Sequence, residues 1–216
     1  MASREDGQLQ EAPLPLETVR RFLNTWDGEF EREDLASPDQ LGRWLVGQGL
    51  IDRQLIDRRS ADSPQFTPEE LDRALELREA LRTLATGHAV GGEPEPDALA
   101  VLNGVLARSR VEIRFGTDAV PSPVPADEHV PAADLALGRI AALVSLAAFD
   151  GTWARLKACP ECGWSIYDRS KNRSRSWCRM SECGNRAKAR AFRARKAAAA
   201  THADDQDGHR DGHREG

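Results

Sequence analysis

CPECGWSIYDRSKNRSRSWCRMSECGNRAK, residues 159–188, contains every cysteine of the chain: Cys159, Cys162, Cys178 and Cys183, spaced C-x2-C-x15-C-x4-C. A Cys-Pro-Glu-Cys-Gly knuckle turns two thiolates towards one point, because Pro160 and Gly163 favour a tight turn. Zn²⁺ takes four N or S ligands in a tetrahedron, with sulfur at about 2.3 Å. No histidine lies between the first and last cysteine and no fifth cysteine is left over, so the pattern predicts one closed, structural four-thiolate site. The alternatives fit less well. Two disulfides need an oxidising compartment, a Cys-x2-Cys redox pair needs a neighbouring β-α-β unit, and iron–sulfur clusters use other spacings.

Working outward, the spacing predicts a hairpin from Trp164–Tyr167 and Ser176–Cys178, joined by a long basic loop, and a helix from Gly184 to Ala200. Knuckle, hairpin and a helix opening at the last ligand describe a small treble-clef-like zinc finger over residues 152–197. So short a segment has little apolar core, so metal binding would contribute most of its folding energy. Ala187, Ala191 and Ala194 form a narrow stripe that could pack on the hairpin.

Charge separates this segment from the rest. Residues 155–196 carry a net +10, residues 1–154 a net −12 and the last 20 residues a net −3, which together give the chain's −5. Like charges at this density repel one another unless a polyanion neutralises them, and phosphate backbones do so with counterion release. The candidate nucleic-acid contacts are Arg169, Lys171, Arg173, Arg175 and Arg179 around the loop, and Asn185, Arg186, Lys188, Arg190 and Arg193 on the helix. DNA is the expected partner. RNA bound by the same surface, and a protein adaptor with the finger docked on the acidic part, remain alternatives. Trp177 can serve equally as core or as a stacking ring.

The acidic part, residues 16–151, reads as a mainly helical domain with a short β element, and 40% of the chain's residues are hydrophobic. Leu16, Val19, Phe22, Leu23 and Trp26 share a helical face. Ser37-Pro38-Asp39-Gln40 and Thr67-Pro68-Glu69-Glu70 are helix starts with capping-box chemistry. The second helix is expected to run to about Ala85, stopped by Gly87, with His88 in a surface loop. Asp97–Ser109 makes another helix, buried through Leu99, Leu102, Val105 and Leu106. Val111–Phe115 alternates as a strand, the Pro-rich residues 120–125 are not expected to pair regularly with it, and Ala132–Phe149 is the expected core helix. Residues 1–15 and 198–216 read as disordered, the latter with the repeat DGHRDGHREG.

Cys159-Pro-Glu-Cys162-Gly-Trp, Asp168-Arg-Ser-Lys-Asn-Arg-Ser-Arg, Trp177-Cys178-Arg-Met180 and Cys183-Gly184-Asn185-Arg186-Ala-Lys188 together resemble the CGNR zinc finger. That finger closes a bacterial family whose front half is the ABATE domain. Phe22-Leu23-Asn24-Thr25 resembles that domain's early N-T motif, and Asp34-Leu35, Leu41, Trp44-Leu45 and Gly49-Leu50 its first capped helix. The resemblance spans about residues 16–196. It implies a stress-induced transcription regulator with the finger as its DNA-binding part. Two departures stand out: the first cysteine pair is two residues shorter than is common in the family, and Ser176 replaces an arginine that often precedes Trp-Cys.

Other function classes find little support. His88 and His129 lack a nucleophile elbow, phosphate loop or His-Glu-x-x-His around them, so no enzyme is expected. No uninterrupted stretch of about 18 apolar residues and no basic n-region suggest a membrane span or secretory signal, so a cytoplasmic protein is expected.

Overall fold

Leu16, Val19, Phe22 and Leu23 recur at helical spacing, and helix α1 (Leu16–Leu23) buries all four. In the computed structural model, which describes residues 11–14, 16–51, 66–117, 119–126 and 130–208 (side chains as far as 199), α1 opens a mainly helical assembly. Its Glu17 is buried and accepts hydrogen bonds from the backbone of Ala12 and the guanidinium groups of Arg20 and Arg21. A two-residue ribbon follows, β1 (Trp26–Asp27) paired antiparallel with β2 (Arg32–Glu33).

Helix α2 (Pro38–Gly47) begins where its cap chemistry predicts: the Ser37 hydroxyl accepts from the Gln40 amide. Helix α3 (Pro68–Val90) carries the complete capping box, Thr67 and Glu70 each accepting from the other's backbone. It does not stop at Gly87. A helical glycine costs about 1 kcal/mol, and here burial of Ala85 and Ala89 on either side offsets that. The helix ends instead at Gly91, which takes the left-handed conformation and returns its N–H to the Gly87 carbonyl. His88 is therefore helical rather than a loop residue. It is half-buried, packs edge-on against Trp153 at 5.2 Å, and its Nδ1 lies 2.9 Å from the Leu156 carbonyl. Burial lowers its pKa, so at neutral pH the ring is uncharged and Nδ1–H is the donor.

Helix α4 (Pro96–Ser109) buries Ala98 and Val105, while Leu99, expected in the core, is exposed. Strand β3 (Val111–Phe115) pairs antiparallel with β4 (Pro121–Pro125), so the Pro-rich stretch forms a strand against expectation. The alternation explains it. The backbones of Val120 and Ala126 bond to Gly116 and Arg110, so the even-numbered residues face the partner strand. Pro121, Pro123 and Pro125 point their missing N–H groups to the open edge, where no ladder bond is lost.

Helix α5 (Ala132–Phe149) is the central core helix, burying Ala133, Leu137, Ile140, Ala141 and Val144. With 18 residues and a mean hydropathy of 1.7, it has the length and composition of a membrane span, yet most of it is buried within the fold. Its two interrupting charges are also engaged there: Asp134 pairs with Arg73, and Arg139 donates to the Leu50 carbonyl. Beside α5, with Leu16 and Pro121–Pro123, lies an apolar cavity of about 690 Å³ also lined by Leu143, Leu146 and Ala147.

The chain forms two compact units, residues 1–178 and 179–216. The first includes strands β5 (Leu156–Ala158) and β6 (Ser165–Tyr167), which pack on α3 and α1. The second contains a π-helical turn (Met180–Gly184) and helix α6 (Asn185–Gly208). Helix α6 runs past Ala197, where disorder is expected, because the alanines at 197–200 are strong helix formers. The expectations for residues 1–10, His129 and the DGHR repeat's histidines lie outside the described residues, as does the side chain of His202.

Candidate metal centre

Strands β5 and β6 pair antiparallel, Leu156 opposite Tyr167 and Ala158 opposite Ser165. The knuckle is the hairpin turn itself: Cys159 N–H donates to Trp164 O, and Gly163 N–H to Cys159 O. Gly163 has φ +72°, a conformation L side chains rarely adopt, which is why glycine follows the second ligand. The hairpin thus pairs residues 165–167 with 156–158, and not with 176–178 as expected from the sequence. Residues 176–178 carry no strand because another device holds the loop that precedes them.

That device is a buried ion pair. Lys157 is 3% exposed and Asp168 fully buried, with Nζ 3.0 Å from Oδ2. Lys157 Nζ also donates to the carbonyls of Arg173 and Arg175, and Asp168 accepts from the amides of Ser170 and Arg175. Burial alone would raise the Asp168 carboxyl, but the hydrogen bonds from Ser170, Lys157 and Arg175 outweigh it and hold the pKa at about 2. Arg155 adds bonds to the carbonyls of Asp168 and Ser170. One cation and one carboxylate, neither singled out by spacing, therefore shape the basic loop from the inside.

The four cysteines are buried and unbridged, and their sulfurs all lie within 4.8 Å of one another. A tetrahedron with Zn–S of about 2.3 Å needs sulfurs roughly 3.8 Å apart, so the donor set suits the ion. Its proton chemistry agrees. Hydrogen bonds from Cys162 and Cys178 push the Cys159 thiol down, while those shared with Cys159 and Cys162, together with burial, push Cys178 up. Four sulfurs this close cannot all ionise without a cation, and a divalent ion removes that conflict.

The last ligand sits in the π-turn. Gly184 N–H returns to Arg179 O, Arg179 pairs with Glu182 at 2.8 Å, and Asn185 Nδ2 donates to Ser181 O. Arg186 Nη2 lies 2.9 Å from Cys183 Sγ, so this guanidinium offsets thiolate charge. Several of the expected nucleic-acid contacts are thus engaged locally. Arg175 is half-buried and donates to the Trp177 and Cys178 carbonyls, and Arg169 is exposed, lies over the Tyr167 ring and donates to Glu11 O. Lys171, Arg173, Lys188, Arg190 and Arg193 are exposed, as are Arg195 and Lys196. Ala187 is half-buried, whereas Ala191 and Ala194 of the expected stripe are exposed.

A helical unit carrying a closed four-thiolate module defines the class. The ABATE family model, described as "Putative stress-induced transcription regulator", matches residues 17–150, and the CGNR zinc finger model matches residues 155–196. The chain belongs to the ABATE family, with a C-terminal CGNR zinc finger. Its four cysteines hold one structural zinc ion. Neither description names a catalytic activity, and no curated protein matches the chain.

Proposed function

We propose that this protein is a zinc-dependent, DNA-binding transcription regulator of the bacterial cytoplasm, with no catalytic activity. In this reading residues 16–151 form the sensing domain and 152–197 the DNA-binding finger. One observation carries it: the exposed cations at Lys171, Arg173, Lys188, Arg193, Arg195 and Lys196 lie on a loop that ends at one zinc ligand and a helix that follows another. No acidic residue occurs between 185 and 199, so α6 cannot neutralise itself through i,i+4 pairs. Zinc closes both elements at their roots, and phosphates complete the charge balance. Arg186 is the candidate contact that touches a ligand sulfur, and Arg190 and Arg193 lie one and two turns further along α6. The apolar cavity beside α5 supports a sensor role for the helical domain, since its volume is that of a small-molecule site.

Charge reversal tests the reading. Arg173→Glu and Arg193→Glu should each weaken binding to a short duplex about tenfold or more in low salt, and each should flatten the log–log salt dependence by roughly one unit of slope, as removal of one phosphate-neutralising cation requires. Zinc content should stay at one ion per chain. A protein that prefers single-stranded RNA and tolerates both reversals would overturn the DNA assignment.

A further inference from the structure

The knuckle is gripped by the helical unit at its own backbone. Asn24, immediately after α1, is nearly buried, and its amide makes two bonds to one residue: Nδ2 to Ser165 O at 3.0 Å, and Oδ1 from Ser165 N at 2.7 Å. Ser165 stands opposite Ala158, between pairs joined by ladder bonds, so its N–H and C=O face away from β5, and Asn24 pairs that outer edge as a strand would. Arg82 of α3 is also nearly buried. Its guanidinium links Leu23 O (2.7 Å), the end of α1, to Gly163 O (2.6 Å), one residue past a zinc ligand, while Glu79 holds Nε. Gly28 in the β1–β2 turn completes the grip. A Cβ there would lie 2.8 Å from the Cys162 carbonyl oxygen, so the ribbon approaches the second ligand's backbone as closely as glycine allows.

We propose that Asn24, Arg82 and Gly28 are positioning residues for the zinc centre, by which the helical unit sets the Cys159–Cys162 half of the site and zinc retention is coupled to the state of α1 and α3. Linkage makes the coupling reciprocal: whatever displaces the end of α1 loosens zinc, and loss of zinc loosens the end of α1. The finger is then no autonomous bead on a helical domain. This inference rests on the metal centre alone and is independent of what the basic surface binds.

The test uses the full chain. Zinc affinity and release to a chromogenic chelator are measured for wild type, Asn24→Ala, Arg82→Ala and Gly28→Ala, with cobalt-substituted spectra of each. Arg78→Ala is the control: Arg78 lies on the same helix, is also buried, and binds Glu33, Thr25 and the second oxygen of Glu79, while Arg82 keeps its own bonds to Glu79, Leu23 and Gly163. The three positioning variants should hold zinc about 10–100-fold more weakly and shift the cobalt ligand-field bands. Arg78→Ala should lower thermal stability yet keep wild-type zinc affinity and spectrum. Should Asn24→Ala or Arg82→Ala fail to fold, Gly28→Ala and Asn24→Asp, which keeps one of the two Ser165 bonds, carry the comparison. Wild-type zinc affinity and spectra in the folded variants, or an equal loss in Arg78→Ala at matched stability, would overturn the proposal.

Discussion

Cys159→Ser is expected to abolish stoichiometric zinc binding, taking native mass spectra from one ion per chain to none, and to render residues 156–187 susceptible to protease. Structural zinc contributes on the order of 10–16 kcal/mol in isolated finger peptides. The segment has little to replace it with: beyond the cysteines, its buried apolar side chains are Leu156, Ala158, Trp164, Ile166 and Tyr167. A serine hydroxyl does not ionise at neutral pH, so one of the four anionic donors is lost. The core around Val19, Phe22, Leu41, Leu77, Leu81 and Ile140 lies elsewhere, so most helical signal should survive at a lower melting temperature. A variant that kept zinc at wild-type affinity would show that the Cys159 sulfur is not a ligand.

The second large effect is expected at a residue that touches neither metal nor nucleic acid. Asp168→Asn leaves Lys157 charged in a site where it is 3% exposed, and breaking a buried pair on one side typically costs about 3–5 kcal/mol. The Arg175 amide and the Ser170 amide lose their charged acceptor as well. Denaturant unfolding of zinc-loaded protein at neutral pH measures the loss. Neutral pH is needed because the folded carboxyl titrates at about 2 against roughly 3.9 when unfolded. Its contribution is whole above about pH 4 and fades as the pH falls towards 2. Removing both charges, in Lys157→Met with Asp168→Asn, should cost less than the sum of the single changes. Additive losses would show that the two side chains act independently.

What could be read from the sequence was what distance along the chain encodes. Four cysteines with a Pro-Gly knuckle announce a metal site wherever they fold, and Ser37 and Thr67 announce helix starts because a cap acts on amides two or three residues away. The hairpin partner was not legible, since three-residue strands such as Leu156–Ala158 carry too little periodicity. Nor was the paired Pro121–Pro125 strand, whose regularity depends on which residues face the partner. Arginines were the hardest to assign. Arg78, Arg82 and Arg175 turn inward to carbonyls and carboxylates while Arg173 and Arg193 stay exposed, and composition treats all five alike. Asn24 was visible only as part of a motif; its two bonds to Ser165 span 141 residues, and local pattern does not report pairings at that distance.

In the proposed function, zinc organises a basic surface for DNA. Duplex mobility shifts across a salt series, run on zinc-loaded and on chelated full-length protein, test it most directly. Zinc-loaded protein should bind with an affinity that falls steeply and log-linearly with salt, and chelation should abolish the shift. Identical binding with and without zinc, or binding indifferent to salt, would contradict it.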